Sequence, residues 1–289
     1  KLDEASMVHA IGLAATQSAG LREMFGSMGK AFHPGRSAQN GYLAALLARA
    51  GFTAGEHALE GPRGFAAVLA ASSDLSRITD RLGADYELHA NTYKPFPCGI
   101  VIHPTIDGCI QIHEEHRPAP ASIVAVRLRV APLVLDLCNK KEITLGLEGK
   151  FSVYHGAAIG LVRGRAGLRE FTDEAVNSTV IRRVRDVTVA EADEELSEDQ
   201  AAIAVELSDG RTVEHFVEAS LGNLQRPLSD EQLEAKCREQ AALVLAESHV
   251  DALVDLCWRI DSLGNVDDLI RAAVPASGRG SSAAPHAAV

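Results

Sequence analysis

The feature that most constrains this chain is a hydrophobic period that changes twice along its length. Up to about residue 83 the sequence is Ala- and Leu-rich and helical in period. After Pro34, the residues Ala38, Tyr42, Ala45, Leu46 and Arg49 fall at i, i+4, i+7, i+8 and i+11. That is one stripe of an amphipathic helix, ending at Gly51, where a left-handed cap is expected. Phe65, Val68 and Leu69 predict a further short helix. From about residue 86 the pattern becomes mixed. Val124, Val126, Leu128 and Val130 alternate with Ala125, Arg127 and Arg129, the period of a half-buried strand. Ile203–Leu207 and Thr212–Phe216 flank Asp209-Gly210, which reads as a hairpin. Helical stretches around 104–116 and 151–164 lie between the strands. From residue 229 the chain is helical again: Ser229 and Gln232 make a capping box, and Leu233, Cys237, Ala241 and Leu245 continue one face. Val250, Leu253, Val254 and Cys257 form a second stripe.

Strands mixed with helices in this order predict an α+β protein. The expected domains are helical residues 1–85, an α+β domain over 86–222 and helices over 223–274; a Gly/Ser/Ala/Pro tail at 275–289 is expected to be disordered. A length of 289 residues suggests about two domains, and 46% hydrophobic content supports a core without staples. The net charge of −11 disfavours non-specific binding to nucleic acid or anionic membrane. Any anionic ligand must therefore meet a local concentration of cations. No apolar run reaches the roughly 18 residues of a membrane span, and Lys1-Leu2-Asp3-Glu4 does not read as a signal peptide. Five cysteines without a CxxC pair read as reduced thiols of a cytoplasmic protein.

Four segments carry side chains suited to chemistry. In Gly29-Lys30-Ala31-Phe32-His33-Pro34-Gly35-Arg36-Ser37, three potential cations precede an expected helix start, where free N–H groups bind carboxylate or phosphate. Lys30 and Arg36 would supply charge and His33 a proton; the plain alternative is a solvated loop. In Tyr93-Lys94-Pro95-Phe96-Pro97-Cys98, two prolines force a rigid path and hold Lys94 beside it, as a partly buried cation or as an exposed lysine in a linker. Cys98 has no base near it in sequence and reads as a small buried thiol. His103, His113, Glu114, Glu115 and His116 invite a metal, but their spacing matches no ligand motif, so none is expected. In Lys150-Phe151-Ser152-Val153-Tyr154-His155, the last two residues fall in the first turn of an apolar helix. They are either satisfied core side chains or a general acid or base on a rigid scaffold.

Taken in order, GKAFHPGRSAQNG, YKPFPCGIVIHPTIDGCIQI, GKFSVYHGAAIGLVRG and RPLSDEQLEAKCREQA resemble the MmgE/PrpD family, from about residue 5 to residue 270. That family includes 2-methylcitrate dehydratase, cis-aconitate decarboxylase and iminodisuccinate epimerase. The resemblance implies an all-helical domain with an inserted α+β lid, the C-terminal helices returning to the helical domain. It implies a cofactor-independent, metal-free site between the domains, acting on small di- and tricarboxylates by proton transfer next to a carboxylate. The family's loop lysine falls on Lys30, its second-motif lysine on Lys94 and the following histidine on His103. The family's tyrosine aligns with His155, one residue after Tyr154, which leaves both as candidates. The same resemblance implies on the order of one hundred further residues ahead of Lys1, carrying an aspartate and a histidine of the site. The expectation is thus a dehydratase-like lyase, its expected partners a small carboxylate and a second copy in a homodimer. An isomerase, or a remnant that only binds or dimerises, is the alternative.

Overall fold

The structure is a computed structural model that describes residues 1–275. The expected tail lies, from residue 276, outside the described residues. Two compact units divide the chain, Lys1–Asn91 and Thr92 onward. By that division residues 223–274 fall in the second unit, whereas the resemblance implied their return to the first.

The first unit contains helices α1 (Glu4–Ala15), α2 (Gly29–Arg49) and α3 (Phe65–Leu69). The Asp3 carboxylate caps α1 by accepting from the Ser6 amide at 2.8 Å. Small side chains allow α1 and α2 to pack closely, and Ala10, Ala44 and Ala48 are the hydrophobic residues buried there. This corrects the expected stripe. Ala44 and Ala48, with Asn40, face inward, while Tyr42 is 70% exposed and Ala38 and Arg49 are exposed too. A second correction concerns the start of α2. The lysine–histidine segment is itself helical, and Pro34 lies inside the helix. Pro34, the sixth residue of the helix, lacks the N–H that would bond the Lys30 carbonyl, so one bond of the ladder is missing there. The expected cap at Gly51 is present, with φ +89°.

The second unit is built on a four-stranded sheet of order β2-β1-β3-β4, with β1 (Ile123–Val130), β2 (Thr188–Ala192), β3 (Ala201–Leu207) and β4 (Thr212–Val217). β1 runs parallel to β2 and antiparallel to β3. β3 and β4 form the expected hairpin, closed by Gly210 at φ +88°. A bulge between Ile123 and Ala125 shifts the register at the start of β1. Ile123 therefore takes the buried place and Val124 is exposed, contrary to the simple alternation.

One face of the sheet is covered by α4 (His103–His116), which crosses α7 (Val153–Arg163). Glycines set both approaches. A Cβ at Gly108 would stand 2.4 Å from Ile203 Cδ1, and one at Gly160 would stand 2.7 Å from Cys109 Cβ. Helices α5 (Pro132–Cys138), α6 (Gly146–Gly149), α8 (Asp173–Asn177) and α9 (Thr179–Asp186) occupy the connection from β1 to β2 with α7. Helices α10 (Asp230–Ala241), α11 (Glu247–Trp258) and α12 (Asp267–Ala272) follow the sheet. The Ser229–Gln232 capping box forms as expected. Leu245, Val250 and Val254 make a small core with Cys237, Ala241 and Leu253. α10 lines a cleft with Pro95, Pro97 and Leu168, which ties it to the second unit. Among the described residues no helix is long and apolar enough to cross a membrane.

Candidate functional site

The Tyr93–Cys98 segment forms a rigid strap in the second unit. Lys94 Nζ donates to the Cys98 carbonyl at 3.0 Å, closing the turn that the prolines stiffen. Phe96 and Cys98 are buried beneath it. The Gly99 amide bonds the Lys150 carbonyl at 2.9 Å, and a Cβ at Gly99 would meet Cys138 Sγ at 2.8 Å. The strap then leads into α4, whose first residue is His103. That imidazole is 2% exposed and lies edge-on to the Phe96 ring, with centroids 5.3 Å apart.

Burial above all, and then the charge of Lys94, lower the His103 pKa to about 3, although bonds to the backbone of Cys98 and Phe96 oppose the shift. The ring is therefore neutral at pH 7. Its Nε2 is buried without a hydrogen-bond partner. A neutral imidazole keeps one ring nitrogen as a lone-pair acceptor. Lys94 and Lys150 act electrostatically on Cys98, and Lys94 and Lys236 on His103. An acidic chain thus concentrates positive charge around this strap. Burial pushes the Cys98 thiol up strongly and that of Cys138 to about 12, which keeps both protonated and poorly nucleophilic.

Tyr154 and His155 enter the helix side by side but point to different neighbours, as residues about 100° apart around a helix must. The helix starts where Ser152 Oγ accepts from the His155 amide at 3.1 Å. Tyr154 donates its hydroxyl to Asn139 Oδ1 at 2.6 Å, and the Lys141 ammonium stands 5.3 Å from its ring. Burial raises the phenol's pKa, so it is a hydrogen-bond donor at neutral pH. His155 has no solvent exposure. Its Nε2 donates to the Glu170 carbonyl at 2.9 Å and its ring lies edge-on to Phe171. Burial lowers its pKa to about 4, and Nδ1 is left without a partner. This is the environment of a core histidine.

In the first unit, Lys30, His33 and Arg36 stand on successive turns of α2. Lys30 is exposed, with its ammonium 5.5 Å from the Phe25 ring centroid. His33 is half-buried beside Gly20, and Arg36 donates to Gln39 Oε1 at 2.8 Å. The structure thus brings Lys94 and His103 together within one unit, and Lys30, His33 and Arg36 within the other. Sequence reasoning missed Asn139 and Lys141, whose polar Asn139-Lys140-Lys141 run signals only a break after α5. His113 Nδ1 is 2.7 Å from the Leu161 carbonyl, and His116 lies 3.8 Å from Glu115. Among the described residues no group of three or more His, Cys, Asp or Glu is placed to hold a metal.

Fold and site define an α+β protein in which a helix-borne, neutral histidine lies under a proline-stiffened lysine. Residues 1–78 match the MmgE/PrpD N-terminal domain and residues 96–260 the MmgE/PrpD C-terminal domain, so the chain belongs to the MmgE/PrpD family. It is similar to cis-aconitate decarboxylase of Mus musculus, with 23% identity over 253 residues, covering 84% of this chain and 51% of that protein. It is likewise 23% identical over 255 residues to cis-aconitate decarboxylase of Homo sapiens, covering 81% and 50%. The chain spans about half the length of the curated relatives it matches.

Proposed function

We propose that this protein is a lyase acting on a small di- or tricarboxylate by proton transfer at the carbon next to a carboxylate. The observation that carries the reading is the Lys94 charge acting on the buried His103 imidazole, whose Nε2 has no hydrogen-bond partner. Lys94 binds and orients one substrate carboxylate and stabilises negative charge developing as the adjacent carbon loses its proton. His103 is the proton acceptor. In the ligand-free state it is a weak base, because burial and Lys94 both disfavour its cation. A carboxylate seated on Lys94 offsets that ammonium and raises the affinity of His103 for a proton. Substrate binding thereby switches the base on.

Tyr154 donates a hydrogen bond from its neutral phenol; His155, enclosed by Glu170 and Phe171, is left as scaffold. The family relatives named cis-aconitate decarboxylase support a lyase of this kind, and 2-methylcitrate and cis-aconitate are the substrates to try. The test is deuterium exchange. In deuterated water, NMR should show label entering beside a carboxylate of one of these acids, and this should vanish in Lys94→Met and His103→Gln. Tricarboxylates that neither bind nor exchange would overturn the proposal.

A further inference from the structure

We propose that Asp107, Arg226 and Gly222 are positioning residues that set the place of Lys94, an inference that rests on the reading of Lys94 as the carboxylate-binding cation. Asp107 lies on α4 at i+4 from His103, one helical turn further along. It is 4% exposed, and a carboxylate that buried needs partners. Arg226 supplies them through both terminal nitrogens: Nη1 pairs with Asp107 Oδ2, and Nη2 lies 3.4 Å from Oδ1. The Leu221 amide also donates to Oδ2, at 3.2 Å. Arg226 further donates to the Ala219 carbonyl at 3.1 Å, so the pair clamps the turn between β4 and α10 onto α4. Within that turn the Asn223 side chain accepts from the Arg226 amide at 2.8 Å, and the Gly222 amide bonds the Arg226 carbonyl at 2.8 Å.

The far side of the turn reaches the lysine strap. The Tyr93 amide donates to the Gly222 carbonyl at 3.3 Å. Gly222 has φ +90°, and a Cβ there would stand 2.3 Å from the Tyr93 carbonyl oxygen and 2.8 Å from Pro95 Cδ. Tyr93 and Pro95 flank Lys94, so the buried pair fixes the backbone on both sides of it. The same helix thus carries His103 directly and Lys94 through Asp107, the Arg226 turn and Gly222. The brace keeps ammonium and imidazole in register, as proton transfer between positioned groups requires.

Gly222→Ala, Arg226→Met and Asp107→Asn separate this role from mere stability, because each leaves Lys94 itself in place. In the intact protein, acetylation of lysines by a succinimidyl ester is followed residue by residue by mass spectrometry. The variants should label Lys94 severalfold faster than wild type, while Lys140 keeps its rate. With cis-aconitate or 2-methylcitrate as the probe, Arg226→Met should raise KM about tenfold, the loss of one charged hydrogen bond, and Arg226→Lys should recover part of it. In a Lys94→Met background, where calorimetric binding of these acids replaces KM as the readout, Arg226→Met should weaken affinity no further, whereas a purely structural residue would weaken both backgrounds alike. Should Gly222→Ala not fold, Asp107→Asn, which keeps the shape of the side chain, takes its place. Unchanged Lys94 labelling in the folded variants, or additive losses in the double variant, would overturn the brace. If the wild type neither binds nor turns over the acids, the functional reading fails, and the labelling alone decides the brace.

Discussion

In the first unit the buried hydrophobic side chains are alanines, Ala10, Ala44 and Ala48, whereas the second keeps Ile102, Ile106, Leu128, Ile159, Leu161 and Ile181 wholly out of water. Both units carry lysine and histidine side by side, but the settings differ. Lys30 lies exposed on α2 against one aromatic ring. Lys94 stands beside a deeply buried imidazole whose protonation it opposes. The contrast teaches that residue type alone does not make a site. Burial converts an ordinary histidine into one whose charge state depends on what sits next to it.

The comparison can be broken most directly through packing. Leu161→Ala, in the second unit, should cost about 2–5 kcal/mol in urea unfolding, while Leu43→Ala, 45% exposed on α2, should change stability by no more than about 0.5 kcal/mol. Equal costs would erase the distinction. The next effect is one of pH. His103 and His155 have pKa values lowered to about 3 and about 4, so the folded protein refuses protons that the unfolded chain accepts. Their stabilisation is complete above pH 6.5 and is lost as pH falls toward those values. At pH 5.5 each should have given up about 1.4 kcal/mol, and His155→Gln should remove about half of the combined slope. Urea midpoints measured between pH 7.5 and 5.5 check this. A flat profile would mean that the imidazoles reach water.

Ligand binding sharpens the contrast further. Lys94→Met should weaken tricarboxylate affinity by about 1–3 kcal/mol in a calorimetric titration, the range for a charged hydrogen bond. Lys30→Met should cost less, about 1 kcal/mol or under, because a solvated ammonium gives up less when removed. A larger loss at Lys30 than at Lys94 would reverse the roles assigned to the two units.

Much of the second unit was legible because its strands obey a period of two and its hairpin turns on Asp209-Gly210. The capping box at Ser229 was equally local. Less visible was anything decided by distant partners. β2, Thr188–Ala192, is too short and too polar to announce itself, and it becomes a strand by pairing with β1. The expected stripe on α2 fails because alanines, not Tyr42, fit the close approach of α1. Lys94 and His103 were legible as candidates from motif and proline spacing, but the direction of each side chain was not. Nothing in the string Tyr154-His155 tells which of the two meets Asn139 and which meets Glu170. The Asp107–Arg226 pair spans 119 positions and leaves no local trace.

The strand order β2-β1-β3-β4 also sets a timetable for synthesis. β1 is an inner strand, yet both of its neighbours lie later in the chain, beginning at Thr188 and Ala201. On a ribosome it emerges first and waits with both edges open for several seconds, at about 5–20 residues per second, before β2 and β3 arrive. During that delay the alternating Arg127 and Arg129 serve a purpose that the finished sheet conceals. A positively charged face on an unpaired hydrophobic strand discourages it from adding to the strand of a neighbouring nascent chain.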